Sequence, residues 1–159
     1  MGFRGAVAPA RHERFCRMNS EQLRAIVKNV SFFKGLSESD VFKIFSKGMS
    51  VRVSKDEVLF YKNTVGNQMY VVLTGKLGVF NGDTCIATLG AGDMCGEMAL
   101  VSHAPRSATV KALEDSLLFV LSETTLERLL TKRVAVQLLL NIISTLSQRL
   151  RDTNARITM

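Results

Sequence analysis

The stretch Gly96-Glu97-Met98-Ala99-Leu100-Val101-Ser102-His103-Ala104-Pro105-Arg106-Ser107-Ala108-Thr109-Val110 decides how this chain is read. It opens on a glycine and an acid and passes through the small or apolar Met98, Ala99 and Leu100. It then turns through Pro105 into Arg106 and closes on a strand-like run, Ser107 to Val110. Gly96 has no Cβ, so a ligand can approach its backbone closely. The residues after it suit a short helix whose unpaired N–H groups point at an anion. Pro105 stiffens the approach to Arg106. A guanidinium takes two phosphate oxygens at once, which an ammonium cannot. Glu97, acceptor-only when ionised, suits a sugar hydroxyl and repels a phosphate. Taken alone, a glutamate and an arginine at this separation also suit a structural ion pair beside a tight turn.

The totals narrow the classes. The chain has 159 residues, 47% of them hydrophobic, which fits one globular domain with a proper core. Its net charge is +7. A basic balance can serve nucleic acid or a membrane surface. Here much of the excess sits at the ends, in Arg4, Arg11, Arg14 and Arg17 and in Arg149, Arg151 and Arg156. That pattern reads as a solvated tail and a solvated helix face. No aromatic residues interleave with these arginines as a single-strand binding groove would need. Cys16, Cys85 and Cys95 are odd in number and widely spaced. They form no disulfide framework or zinc motif, and a reducing, cytoplasmic setting is expected. His12 and His103 are too few for a histidine-rich metal site. No apolar run approaches a membrane span. The first residues lack the apolar core of a secretory signal. Met1-Gly2 hints at myristoylation, but Ala6 stands where Ser or Thr is wanted.

Taken in order, residues 1–18 read as a flexible leader and 19–159 as one domain. Residues 19–49 carry helical spacing: Leu23, Ile26, Val27 and Val30, then an aromatic turn at Ser31 to Leu36, then Val41, Ile44 and Phe45. Asn19 with Gln22 and Ser37 with Asp40 have capping-box spacing. From 50 to 122 the period becomes two, in Val51/Val53, Val58/Phe60, Leu77/Val79, Ile86/Thr88, Ala108/Val110/Ala112 and Leu117/Phe119/Leu121. Met69 to Leu73 is a continuous apolar run of strand length. Residues 63–67 form a turn, and Asn81-Gly82 favours a tight hairpin. Gly90, Gly92 and Gly96 are one residue too widely spaced for a dinucleotide fingerprint, and the expected βαβ unit is missing. Short strands with glycine turns predict a sandwich or jelly roll.

Past 122 the helical period returns. Ser122 and Thr124 both suit an N-cap, and Thr124 with Glu127 has box spacing. A long helix is expected from about Arg133 to Ala155. Its Leu139, Ile143, Leu146 and Leu150 step by four, three and four, as a coiled-coil seam does. Leu138, Leu140 and Ile142 lie partly off that seam. The helix therefore has apolar residues for two neighbours, its own domain and a twin, and a homodimer is expected.

The stretch from Gly96 resembles the phosphate-binding cassette of the cyclic nucleotide-binding domain family, F-G-E-(I/L/M)-A-L, a turn, then P-R-(S/A/T)-A-T-V. It departs at the first position, where Cys95 replaces phenylalanine. Asp56 also stands where many members have glycine. The resemblance implies an α+β fold, an antiparallel β-roll (jelly-roll-like) flanked by N-terminal helices and a C-terminal helix pair ending in a long helix. It implies a cassette at 96–107, with Glu97 on the ribose 2′-hydroxyl and Arg106 on the cyclic phosphate. Backbone N–H groups around Gly96, Met98 and Ala99 and the hydroxyl of Ser107 assist.

Arg149-Leu150-Arg151-Asp152-Thr153-Asn154 resembles the long-helix segment of the family's catabolite-activator branch, R-L-x-x-T-S. That implies Arg149 and Thr153 at the ligand, Thr153 on the base, and Asn154 reaching the partner subunit's ligand. The same residues also suit a plain polar helix end.

The function implied is a non-enzymatic sensor. Its ligand is cAMP, with cGMP as the alternative, and Ser107 leans toward cAMP. Ligand repositions the C-terminal helix to act on an effector protein. The alternative is the sensor half of a DNA-binding regulator without its helix-turn-helix, so no direct nucleic-acid binding is expected, and no membrane. A cupin-type metalloenzyme lacks the ligand cluster it would need.

Overall fold

The computed structural model describes residues 12–14, 19–129 and 131–158. The remaining leader positions, 1–11 and 15–18, lie outside the described residues, as do the side chains of Gln22, Leu23 and Val27 in the first capping box and helix. Within the leader, His12–Arg14 forms strand β1. The other strands are β2 (Met49–Val53), β3 (Val58–Phe60), β4 (Gln68–Thr74), β5 (Leu77–Asn81), β6 (Thr84–Leu89), β7 (Met94–Cys95), β8 (Thr109–Ala112) and β9 (Ser116–Ser122). The helices are α1 (Ser20–Asn29), α2 (Glu38–Lys47), α3 (Met98–Val101), α4 (Glu123–Leu129) and α5 (Lys132–Ile157), with a 3-10 turn at Ser31–Phe33.

Two antiparallel sheets form the roll. One has the order β1-β2-β9-β4-β7 and the other β3-β8-β5-β6. The unbroken apolar run in β4 follows from its position between two cores. Tyr70 and Val72 point into the space between the sheets with Val51, Leu77, Val110 and Leu118. Met69 and Val71 point the other way, into a core shared with Phe32, Phe33, Ile44, Phe119, Leu138 and Ile142 from the helical layer. Phe45 and Phe119 meet there with ring centroids 4.6 Å apart. The family's turn glycine is replaced by Asp56, which adopts φ 69° itself. Asp tolerates this left-handed conformation better than most residues, so the turn survives.

Caps set the helix starts. In α2, Asp40 N–H donates to Ser37 Oγ at 3.1 Å, and Ser37 N–H donates back to Asp40 Oδ2 at 3.4 Å. Of the two cap residues considered for α4, Ser122 accepts from Thr125 N–H at 3.1 Å, and the helix starts at Glu123. Thr131 caps α5, whose span exceeds the expected one by a residue at the start and two at the end. The β5–β6 hairpin pairs Asn81 with Thr84, so Gly82-Asp83 is the two-residue loop.

Helix α5 is fastened to the helical layer at two points. Asn141 Nδ2 donates to the carbonyls of Phe32 (2.7 Å) and Lys34 (2.9 Å). Arg133 Nη2 lies 2.7 Å from Asp40 Oδ2. The Arg133 hydrogen bond is the main reason the Asp40 carboxyl titrates below its ordinary range, with burial opposing it. Val134, Leu138 and Ile142 are buried against the domain, with Leu139 and Leu146 packed beside them. The expected seam is therefore divided: Leu139 and Leu146 turn toward the domain, while Ile143 and Leu150 are 56% and 61% exposed.

Candidate functional site

The cassette is held between the two sheets and α5. β7 pairs with β4 through Tyr70 opposite Cys95 and Val71 opposite Met94. Gly96 then turns the chain at φ 76°. A Cβ there would come 2.6 Å from Arg106 Nη1 and 3.0 Å from Gln68 O, so only glycine fits. α3 follows, with Ala99 N–H donating to Gly96 O at 3.2 Å. The turn at 63–67 lies alongside the second half of the cassette. Asn63 N–H donates to Arg106 O and Arg106 N–H donates to Thr64 O, both at 2.8 Å.

Glu97 and Arg106 are both buried, at 5% and 7% exposure, and they do not pair with each other. The Arg106 guanidinium donates from Nη1 to Gly96 O at 3.1 Å and from Nη2 to Gln68 O at 2.8 Å. Its Cζ lies 4.2 Å from the centre of the Phe60 ring. Among the described residues no carboxylate neutralises it. Glu97 Oε1 instead accepts from Arg149 Nη1 at 2.9 Å, and Arg149 Nη2 also donates to Met94 O. Oε2 of Glu97 keeps its capacity to accept from another donor.

A cavity of about 480 Å³ opens here, within the range of small-molecule sites. Gly96, Glu97, Met98, Ala99, Arg106 and Ser107 line it from the cassette. Arg149 and Thr153 line it from α5, and Thr153 Oγ1 donates to Arg149 O at 2.9 Å. Asn154 does not line it. The sequence reading missed Phe60, the wall formed by Ile86, Ala87 and Thr88, and Asp152 and Arg156 on α5. The helical spacing of Asp152 and Arg156 with Arg149 was the signal that could have found the last two.

Cys95 also lines the cavity. Burial first, and the Glu97 charge second, push its thiol up to about 12, so it stays protonated and non-nucleophilic. Burial likewise raises the Tyr70 hydroxyl, with Arg106 opposing. Among the described residues, no three His, Cys, Asp or Glu gather as a metal site would need. No helix among them is long and apolar enough to cross a membrane.

A buried arginine and a buried glutamate on one cavity of a β-roll are the features expected of a cyclic nucleotide-binding domain, and the comparisons show that family. Residues 50–133 match the model of the cyclic nucleotide-binding domain, and the chain belongs to that family. Domains of this family are regulatory, non-catalytic sensor modules. Over 114 residues the chain is 35% identical to a cAMP-dependent protein kinase regulatory subunit of Blastocladiella emersonii, covering 69% of this chain and 28% of that protein. It spans about a quarter to a third of the length of several such subunits. The fold is similar to a cyclic nucleotide-binding domain from Methylobacillus flagellatus, with TM-score 0.76 and 27% identity over 87% of this chain and 82% of that one. It is also similar to the catabolite activator protein of Thermus thermophilus, with TM-score 0.71 and 27% identity over 80% and 62%.

Proposed function

We propose that this domain senses cAMP and reports it through α5. The observation that carries the reading is Arg106, a buried guanidinium held by neutral carbonyls and a ring face. A buried cation without a counter-charge is costly, so the site favours an anion that supplies one. The cyclic phosphate supplies it, the ribose 2′-hydroxyl donates to Glu97, and the base lies toward Thr153. Ser107 and the similarity to a cAMP-dependent protein kinase regulatory subunit both favour adenine over guanine.

Output follows from the contacts of α5. Arg149 joins this helix to Glu97, so a ligand that orders the cassette also biases the helix, by as much as its affinity differs between the helix positions. The outward stripe on α5 supports a homodimer through that helix, with Asn154 facing the partner. An effector protein would read the helix position.

Calorimetric titration with cAMP and with cGMP, with sedimentation alongside, tests this. Saturable cAMP binding that is tighter than cGMP binding is expected. Absence of saturable binding at millimolar ligand defeats the reading. Arg106→Ala should cost on the order of 2–5 kcal/mol of binding. The similarity to the Thermus catabolite activator protein supports a second reading, the sensor part of a transcription regulator. Salt-dependent binding of duplex DNA by this chain would favour it.

A further inference from the structure

We infer that Phe60 is a positioning residue for the phosphate site: its ring is the shelf that fixes the plane of the Arg106 guanidinium. This rests on the proposed binding of a cyclic nucleotide at the same cavity. Phe60 belongs to neither the cassette nor α5. It ends β3, opposite Val110 of β8, just past a shift in register. The shift changes which way β3 directs its last side chain, and Phe60 lines the cavity.

Four contacts close a circuit around Arg106. Its Cζ lies 4.2 Å from the Phe60 ring centre, a cation–π distance. Phe60 stacks on Tyr70, with centroids 6.0 Å apart and planes 29° apart. The Tyr70 hydroxyl donates to Gln68 Oε1 at 3.2 Å, and the Gln68 carbonyl accepts from Arg106 Nη2 at 2.8 Å. Strands β3 and β4, one from each sheet, thus hold the guanidinium between a ring face and a carbonyl. Two carbonyl bonds alone leave the plane free to rock about the line joining them. The ring removes that freedom, so the remaining N–H donors already point where phosphate oxygens must sit. Binding then avoids the cost of ordering them. The ring face also stabilises a cation that lacks a carboxylate.

The test compares cAMP, which carries the phosphate, with adenosine, which does not, by NMR titration of wild type, Phe60→Leu, Phe60→Met and Phe60→Tyr. Expected is a loss of about tenfold in cAMP affinity for the Leu and Met variants, with adenosine affinity unchanged. Phe60→Tyr keeps a ring face and should return cAMP affinity to within about twofold of wild type. A purely steric wall would lose both ligands together, and that result overturns the inference. So does unchanged cAMP binding in Phe60→Leu, or in Phe60→Met should the Leu variant not fold. If wild type binds no cyclic nucleotide, the site reading itself has failed, which is a different result from either.

Discussion

Arg149 Nη1 lies 2.9 Å from Glu97 Oε1, joining residues 52 positions apart and tying the far half of α5 to the start of the cassette. The two ends of this contact are unequal. Glu97 is buried, whereas the Arg149 side chain is 37% exposed. Removing the arginine therefore strands a carboxylate in the interior, while removing the glutamate leaves a cation that water can reach.

Arg149→Met should accordingly destabilise the fold more than Glu97→Gln. A loss of about 1–3 kcal/mol is expected for the arginine change, toward the lower end because solvent reaches its side chain. Urea unfolding of the two variants checks the order. Equal losses would mean that the contact does not carry the asymmetry.

Gly66→Ala separates binding from folding. A Cβ at Gly66 would come 2.6 Å from Arg106 Nη2 and 3.1 Å from its Cζ. The obstructed group is the end of a side chain, which can swing away toward the cavity, so the stability loss should stay near the net worth of one hydrogen bond, about 1–2 kcal/mol. The swing breaks the bond from Nη2 to Gln68 O. Cyclic nucleotide affinity should fall by roughly tenfold, because the displaced guanidinium must be reordered before it meets the phosphate. Thermal unfolding with a parallel cAMP titration tests the split. A variant that binds like wild type would show that the plane of Arg106 is not critical.

Much of this was legible in the sequence, and the exceptions have physical causes. The cassette is contiguous, so Gly96, Glu97, Ala99 and Arg106 could be assigned from fifteen consecutive residues. Phe60 could not, because its role comes from a change of register and from strand pairing across sequence. The order of strands in the two sheets is equally non-local. Helical spacing identified α5 but not which way it faces. Leu139 and Ile143 sit on one seam in the sequence, yet with α5 packed on the 3-10 turn Leu139 lies against the core and Ile143 faces outward. Pairing of Glu97 with Arg149 was not foreseen, although each was assigned to the site separately.

The ion pair of Asp40 with Arg133 sets the expected sign of a pH dependence in the fold. Its folded-state pKa is lowered, chiefly by the Arg133 hydrogen bond. Stability from this contact is fully present above the unfolded pKa of about 4 and is lost as pH falls through the lower folded value. Arg133 is largely exposed, so the contribution is about 1 kcal/mol or less. Wild type should exceed Asp40→Asn in urea-unfolding stability at pH 7, and the gap should narrow below about pH 4. A gap that widens on acidification would contradict the assignment.

The outward face of α5 carries the last prediction. Val136, Leu140, Ile143, Leu150 and Ile157 are all exposed, and with Ser147 and Asn154 they step by four and three along the whole helix. This is the spacing that the seam of a two-stranded coiled coil requires, and a single asparagine on such a seam fixes register at some cost in stability. If α5 pairs with its twin, Ile143→Glu places like charges face to face across the seam and should convert a dimer to a monomer in sedimentation. Because Ile143 is exposed within its own domain, the monomer's fold should be nearly unaffected, within about 0.5 kcal/mol. Asn154→Leu should tighten the dimer while loosening its register. A wild-type chain that sediments as a monomer at high micromolar concentration would remove the helix pair from the mechanism and leave the coupling of ligand to α5 within one chain.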